Sequence, residues 1–438
     1  MDEVLVVGSG PLGLFTAYEL LKQGRKALVI DAGPDPRSQP ELKHHFGATY
    51  SGMDARHISI TETGPWTYVD RADLIQRSPA DGGWQAIPTE LLSQNELRWQ
   101  HEFVEACNDP ESTARNARLV YELNRAGMLG WRLLESELPE IVRPINDKRE
   151  LLILCGDAVA YQDEYGAERA LDPSHVHSSI PSSDFGGLSE MIRRGDAHGF
   201  FVAGSAYNAK TLCAKLISFL ESNGVSFRWN EKIGITGVEA GARGPDKSFV
   251  TDPQDSLIKK AAAVIYCTGT SAGTDRYTGE SAPQGVLGCW VKIPNPGIAS
   301  PFKILDVNPE PVNFINGTPH DDVLYLSGGY AWVGTRKLGD VREFVQPTMD
   351  ALIRQVEDWF GVEVDAAQTE MCIRPAYPTG VPRCSWEKAY AWSFPILVNR
   401  GHAAGGFTQA PFMAKNAVAQ LSIGPNGAEL QDISSLAL

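Results

Sequence analysis

The chain alternates short apolar runs with stretches whose apolar residues recur every three or four positions. That is the pattern of buried strands joined by amphipathic helices. Residues 3–7 (EVLVV) form a β-rich apolar run, and Gly8-Ser9-Gly10-Pro11-Leu12-Gly13 follows directly. Leu14, Ala17, Leu20 and Leu21 then keep one-face spacing up to Gly24, which predicts a helix. Residues 27–30 (ALVI) predict a second strand with Asp31 at its end, so the chain opens on a β-α-β unit. Residues 34–75, rich in Pro, Gly, Asp and Ser, read as loops with short strands. Residues 89–143 read as mostly helical, with Thr113–Glu135 a packed amphipathic helix.

A second α/β pattern starts near 199. It predicts a strand at 199–203, a helix over 208–221 with Leu212, Leu216, Ile217 and Leu220 on one side, and strands at 225–229, 248–250 and 261–267. Residues 285–335 read as β-rich with Pro and Gly punctuation, and 347–360 as a helix. The chain closes on a strand at 396–399, a glycine-rich loop at 401–406 and a helix at 409–421.

At 438 residues the chain has room for two or three domains of roughly 100–200 residues. A hydrophobic fraction of 43% and a charged fraction of 21% are those of a globular protein and exclude a disordered or collagen-like chain. The net charge of −15, with no long basic run, argues against a nucleic-acid partner. No apolar run reaches about 18 residues, so no membrane span is expected. The seven cysteines are widely spaced, without a CxxC pair or a zinc-like grouping. No metal centre is expected, and a reducing compartment fits best. The start MDEVLVVGSG lacks the basic head and longer apolar stretch of a signal peptide, so the expected location is cytoplasmic. In that compartment the sequon Asn316-Gly317-Thr318 has no meaning as a glycosylation site.

The glycine loop carries the first chemistry. G-x-G-x-x-G is a weak signal alone, but here a strand precedes it, a helix follows it and an acid ends the next strand. Gly8 allows the tight turn, Gly10 lets the backbone approach a pyrophosphate, and Gly13 lets the helix pack closely on the sheet. The helix start, with Pro11 and Leu12, offers unpaired N–H groups to phosphate. Asp31, with Ala32 beside it, would bind a ribose diol, which favours FAD or NAD over NADP. The motif at residue 8, the strand 261–267 ending at Thr268-Gly269, and the returning glycine loop near the C-terminus together suit a flavoprotein.

Two C-terminal segments are more specific. Cys372-Ile373-Arg374-Pro375-Ala376-Tyr377-Pro378-Thr379-Gly380-Val381-Pro382 is similar to an "RP-x-TPDG-x-P" segment, with Thr379 where the acid would stand. Gly401-His402-Ala403-Ala404-Gly405-Gly406-Phe407 is similar to a "GHGxxGF" loop, and Gly52-Met53-Asp54-Ala55-Arg56-His57 to a "G-D-T-R" segment. On these motifs the chain resembles the D-amino-acid oxidase superfamily of flavoproteins, which includes glycine oxidase, sarcosine oxidase and D-amino-acid dehydrogenase. The resemblance is strongest at 3–33, 199–229, 261–270 and 371–421, and weak across 76–195.

The resemblance implies an α/β plus α+β fold. A discontinuous Rossmann-like FAD-binding domain (1–75, 196–285 and 365–438) would carry an antiparallel-sheet substrate-binding domain (76–195 and 286–364). It implies FAD, held by the glycine loop, Asp31, Ala32, Thr268, Gly269, Gly405, Gly406, Phe407 and Thr408. Arg56 and His57 would face the flavin or the substrate. Arg374 would grip a substrate carboxylate with its planar fork. Tyr325, Tyr330 and Trp332 are candidates to line the pocket. Cys372 matches the position from which sarcosine oxidases bond covalently to the flavin, so covalent and non-covalent FAD both stay open. Ser327 stands where those enzymes carry an oxygen-activating lysine, so the electron acceptor, O2 or another carrier, stays open too.

The implied reaction is oxidation of an amine or amino acid at the C–H next to nitrogen, giving an imine that hydrolyses. Such a step needs the neutral amine rather than a dedicated base, and a desolvated pocket favours the neutral form. Two alternatives remain. One is a flavin-dependent 2-hydroxy-acid dehydrogenase with His57 or His402 as base. The other is a flavin-binding protein without turnover.

Overall fold

The apolar runs 3–7 and 27–30 pair in parallel, Val4 opposite Ala27 and Val6 opposite Val29, as two strands joined by a helix must. The computed structural model describes residues 3–38, 56–62, 64, 66–68, 71–146, 149–179, 188, 198–231, 261–269, 282–305, 312–336, 338–388 and 395–424. Within these, the strands gather into two sheets.

The first sheet has six strands. Glu3–Val7 is central, with Lys26–Ile30 then Ser226–Arg228 on one side and Ala263–Tyr266 then Pro395–Arg400 on the other, all parallel. Arg383–Lys388 closes one edge antiparallel. Helices Pro11–Lys22, Ala209–Ser222 and Gly406–Ile423 bury Leu14, Leu216 and Ala414 in one core against Val4, Val29 and Ile265. The strands' other face buries Leu5, Val7 and Val398. Strands buried on both faces read as continuous apolar runs, which is why they were legible as runs.

The second sheet has nine strands. Its path runs from Thr369–Ala376 through Gln284–Pro294, Val323–Gly334, Phe314–His320, Phe302–Leu305, Glu150–Cys155 and His198–Tyr207 to Arg56–Ser59. Val176–Ser179 pairs beside His198–Tyr207. Pairing is antiparallel except between Phe302–Leu305 and Glu150–Cys155. Helix Leu338–Phe360 covers one face with Val341, Val345 and Leu352.

Several elements differ from expectation. Strands Arg56–Ser59, His198–Tyr207 and Thr369–Ala376 come from segments expected in the FAD-binding part, yet they pair into the second sheet. Their ladders choose neighbours by hydrogen bonding rather than by order along the chain. Helix Leu338–Phe360 begins well before Pro347 and contains it, although proline usually marks a first turn. Strand Arg383–Lys388 lies where no element was predicted, because its polar residues mask the alternation. The expected strand 248–250 lies outside the described residues.

The two sheets are joined by helix Pro110–Glu137, which crosses helix Gly406–Ile423 closely. A Cβ on Gly127 would lie 2.1 Å from the Thr408 carbonyl oxygen, and one on Gly130 would lie 2.8 Å from Pro411 Cβ. Trp131 Nε1–H donates to the carbonyls of Phe407 and Thr408 at 3.1 and 3.2 Å. Gly127→Ala is therefore expected to destabilise the fold by about 1–3 kcal/mol, because backbone cannot retreat as a side chain can. Urea unfolding of the variant against the parent checks this.

Candidate active site

The glycine loop has the geometry its residue types suggest. Gly8 has φ +103°, and a Cβ there would lie 2.5 Å from the Cys267 carbonyl oxygen. A Cβ on Gly13 would lie 1.9 Å from the Gly8 carbonyl oxygen. Gly10 is different: nothing stands within 4 Å of its Cβ position. Gly8 and Gly13 thus serve the fold, and Gly10 leaves a backbone face open. Helix Pro11–Lys22 starts without a side-chain cap and without an acid in its first turn, so no side chain of its own answers its N-terminal N–H groups.

Asp31 ends strand Lys26–Ile30. Its carboxylate accepts Ser9 N–H and Ser9 Oγ, both at 2.7 Å, and Gly33 N–H at 2.8 Å. The acid therefore also ties the second strand to the glycine loop. Ala32 is exposed beside it. Thr268 and Gly269 follow strand Ala263–Tyr266 at the same edge, Gly269 with φ +62°.

The C-terminal loop leads into helix Gly406–Ile423, again without a side-chain cap or first-turn acid. His402 is buried. Its Nδ1 lies 2.9 Å from Gln409 Oε1 and its Nε2 3.1 Å from Asn399 Oδ1. Gln409 Nε2 donates to Asn124 Oδ1 at 2.9 Å, and Asn124 Nδ2 to the Ile60 carbonyl at 2.7 Å. Thr408 Oγ1 is buried with no hydrogen-bond partner among the described residues.

Where this helix start meets the second sheet lies a cavity of about 330 Å³. Phe407 and Ala404 line it from the C-terminal segment, and His57 from strand Arg56–Ser59. Arg374 enters from strand Thr369–Ala376 and is only 8% exposed. Its Nη1 is buried with no hydrogen-bond partner among the described residues. The guanidinium lies against Gly288, whose Cβ would stand 2.3 Å from Nη2, and 5.9 Å from the ring centre of Tyr330. Tyr330 reaches the cavity through a bulge between Gly328 and Ala331, where Gly329 has φ +76°.

Five charged lining residues were not singled out by the sequence: Glu62, Lys303, Arg71, Glu164 and Glu168. Glu62 Oε1 accepts from Asn316 Nδ2 at 2.8 Å, and Oε2 lies 3.7 Å from His57 Nδ1. Burial pushes the Glu62 carboxyl up, but Lys303, then His57 and Arg374, more than offset this and hold it below its usual value. Burial pulls the Lys303 ammonium down, but Glu62, then Glu164, outweigh it and hold it above its usual value. Both are charged at neutral pH. Lys303, Asn316 and Ser327 stand opposite one another on three adjacent strands, so a cation lies two strands from the serine. Asn316, the sequon residue, is buried and engaged with Glu62. Nothing in a lone Glu or Lys of a loop or strand signals such convergence.

Other expected residues lie elsewhere. Trp332 is fully buried in a separate core, stacked on Trp99 at 5.7 Å, and Tyr325 packs with Trp290 and Cys372. Neither lines the cavity. Alternation alone sets Tyr325 on the face opposite Tyr330 and Trp332, and the bulge between Gly328 and Ala331 shifts the phase so that Tyr330 parts from Trp332 as well. Cys372 is buried two residues from Arg374, opposite Gly288. Arg56 is placed by its backbone opposite Tyr207. Gly52, Met53, Asp54 and Ala55 lie outside the described residues. Among the described residues no cluster of three or more His, Cys, Asp or Glu could hold a metal, and no helix is long and apolar enough to cross a membrane.

A mainly parallel sheet whose first strand runs into an open glycine loop, beside a mainly antiparallel sheet, is the architecture of a dinucleotide-binding protein. The family model DAO, FAD dependent oxidoreductase, matches residues 3–421, and the chain belongs to that family. No curated protein matches it in sequence. Among solved structures, iminodiacetate oxidase from Chelativorans sp. BNC1 is similar, with 15% identity, TM-score 0.55, and 98% of this chain and 97% of that chain covered. Glycine oxidase from Geobacillus kaustophilus has 14% identity, TM-score 0.52 and coverage of 96% and 95%. The L-α-glycerophosphate oxidase from Mycoplasma pneumoniae, with FAD bound, has 14% identity, TM-score 0.54 and coverage of 96% and 95%. At these identities the likeness concerns the fold.

The protein is an FAD-dependent oxidoreductase. Its residues fit that cofactor, as the open side of Gly10, the two uncapped helix starts and the orphaned Thr408 hydroxyl indicate. Three outcomes are expected. Gly10→Ala should change unfolding free energy by less than about 1 kcal/mol, yet weaken FAD binding roughly tenfold or more. Flavin-fluorescence titration of the refolded apoprotein measures the second. Gly288→Ala should displace the Arg374 guanidinium, which a rise in KM without loss of fold would report. Burial pulls the His402 imidazole down from 6.5 to about 4. The unfolded chain then binds the proton first, so this stability is full above about pH 6.5 and is lost as pH falls toward 4. The loss is on the order of 3 kcal/mol. Urea unfolding across that window should show a smaller loss in His402→Gln.

Proposed function

We propose that the protein oxidises an amine or amino acid bearing a carboxylate, at the C–H next to nitrogen, to an imine that hydrolyses. The observation that carries this is the buried guanidinium of Arg374, open at Nη1 and facing the cavity. A fork of this kind binds a carboxylate with two parallel N–H···O bonds. FAD, when bound, supplies the acceptor for the hydride. Arg374 fixes the carboxylate end, and Tyr330, Trp66 and Phe314 form an aromatic wall, with Trp66 and Phe314 5.3 and 5.2 Å from the Tyr330 ring. Phe407 and Ala404 bound the cavity on the cofactor side and exclude water there. The two-part arrangement fits a cofactor half built on the six-stranded sheet and a substrate half built on the other.

The same fork would hold a 2-hydroxy acid. One observation favours that second reading: His57 lines the cavity and has an open ring nitrogen, as a base for a hydroxyl proton requires. His402 does not line it. For the electron acceptor, Lys303 brings a positive charge to the cavity, which supports O2. The wide spacing of the seven cysteines supports a cytoplasmic setting.

Anaerobic bleaching of the flavin band by amino acids, N-methyl amino acids and 2-hydroxy acids tests the reading. Bleaching by a carboxylate-bearing amine is expected. Bleaching by hydroxy acids alone would favour the second reading, and no bleaching by any would favour a flavin protein without turnover. Arg374→Ala should lower kcat/KM roughly 10²–10³-fold, with little recovery in Arg374→Lys. Lys303→Met should slow reoxidation by O2 about 10²-fold relative to reoxidation by a dye, if O2 is the acceptor.

A further inference from the structure

We propose that His57 takes the proton from the substrate ammonium, and that Glu62 is the carboxylate that positions and polarises it for that step. This deepens the amine reading above and rests on it. An amine near neutral pH enters mostly as an ammonium, which has no lone pair to expel a hydride. A desolvated pocket favours loss of that proton, and a base at the site gives it a destination.

His57 is 3% exposed, and its ring is held from both sides. Nε2 lies 3.2 Å from the Gly317 carbonyl oxygen and 3.0 Å from Thr318 Oγ1. A carbonyl oxygen can only accept, so Nε2 carries a hydrogen and donates it. Nδ1 is then the open nitrogen of the neutral ring. It is buried without a hydrogen-bond partner, 3.7 Å from Glu62 Oε2. Glu62 is fixed in turn by Asn316 through its other oxygen. A lone pair facing a carboxylate is repelled, and a proton on Nδ1 turns that repulsion into an ion pair. The acid, the ring and the backbone carbonyl form an ordered base, in which each partner sets the protonation of the next.

The proton step balances simply. One N–H bond of the ammonium breaks and its electron pair stays on the substrate nitrogen. The proton forms an N–H bond at Nδ1, and nothing is oxidised. The freed lone pair is then available for the imine, and the ring releases its proton to water as product leaves. Other charges bear on the ring. Lys303 and Arg374, from the floor of the cavity, oppose a cation at His57 and favour the proton's later release. Arg71 acts in the same sense from the loop side. Glu164 and Glu168 face the cavity from helix Ala158–Leu171 and favour a cation. Glu168 also lies 3.3 Å from His175, and burial raises the Tyr121 phenol well above its usual range and keeps it neutral. Among the described residues Glu62 is the carboxylate within 4 Å of Nδ1.

The test is anaerobic stopped-flow reduction of the FAD-loaded enzyme by glycine, sarcosine, iminodiacetate and L-proline. It compares wild type, His57→Asn, Glu62→Gln and Glu62→Asp from about pH 6 to about pH 10. For the best of these amines, His57→Asn is expected to be slower by about 10²-fold at neutral pH. The deficit should then close about tenfold per pH unit as solution supplies the neutral amine. Glu62→Gln should fall in the same direction and Glu62→Asp should recover most of the rate. A deficit equal at every pH, or none, overturns the proposal, because a merely structural role does not depend on the amine's protonation. Absence of reduction by every amine in wild type, with reduction by hydroxy acids, overturns the amine reading and this proposal together. Equal rates in Glu62→Gln and Glu62→Asp overturn the role of Glu62.

Discussion

A guanidinium taken out of water with an open Nη1 is costly unless something answers its charge, and the interior of this protein is organised around that constraint. Arg374 comes from a strand of the second sheet, and Gly288 on the neighbouring strand gives it room to lie flat. Tyr330 offers a ring face nearby, and Glu62 lies close enough to feel its field. None of these meets the fork directly. The fork is thus left complementary to an anion from outside, while the pull of Lys303 and Glu62 on each other keeps both ionised.

The cavity exists because two sheets are held at a fixed distance. Gly127 and Gly130 let helix Pro110–Glu137 approach helix Gly406–Ile423 at backbone range, and Trp131 locks the contact by bonding the first-turn carbonyls. The same helix carries Tyr121 to the cavity wall and Asn124 to the buried chain running from Asn399 through His402 and Gln409 to Ile60. Cofactor-side and substrate-side residues are therefore parts of one packed unit. A buried polar chain of this kind is favourable when its members are paired, and it fixes the loop that follows Ile60, where Glu62 lies.

Much of this was legible beforehand. The β-α-β opening reads clearly, because parallel strands buried on both faces are unbroken apolar runs and the glycines have local, steric roles. Arg374 and His57 stood out through the motifs around them, and both line the cavity. Glu62, Lys303 and Asn316 did not, since each acquires meaning only from strands far apart in the chain: Asn316 reaches Glu62 across 254 residues. The bulge beside Gly329 separated Tyr330 from Trp332, a one-residue irregularity that period-two reading cannot see.

The division follows from the range of the forces involved. Sequence by itself determined what local sterics and periodicity dictate: the glycine loop and its helix start, the acid that ends the second strand, the apolar strands of the first sheet, and the charge balance. Tertiary structure alone decided which strands share a sheet, which aromatic faces the cavity, and which carboxylate stands beside His57. Long-range hydrogen bonding, close helix crossing and the mutual influence of buried charges have no period along the chain. Only the folded protein brings those groups within reach of one another.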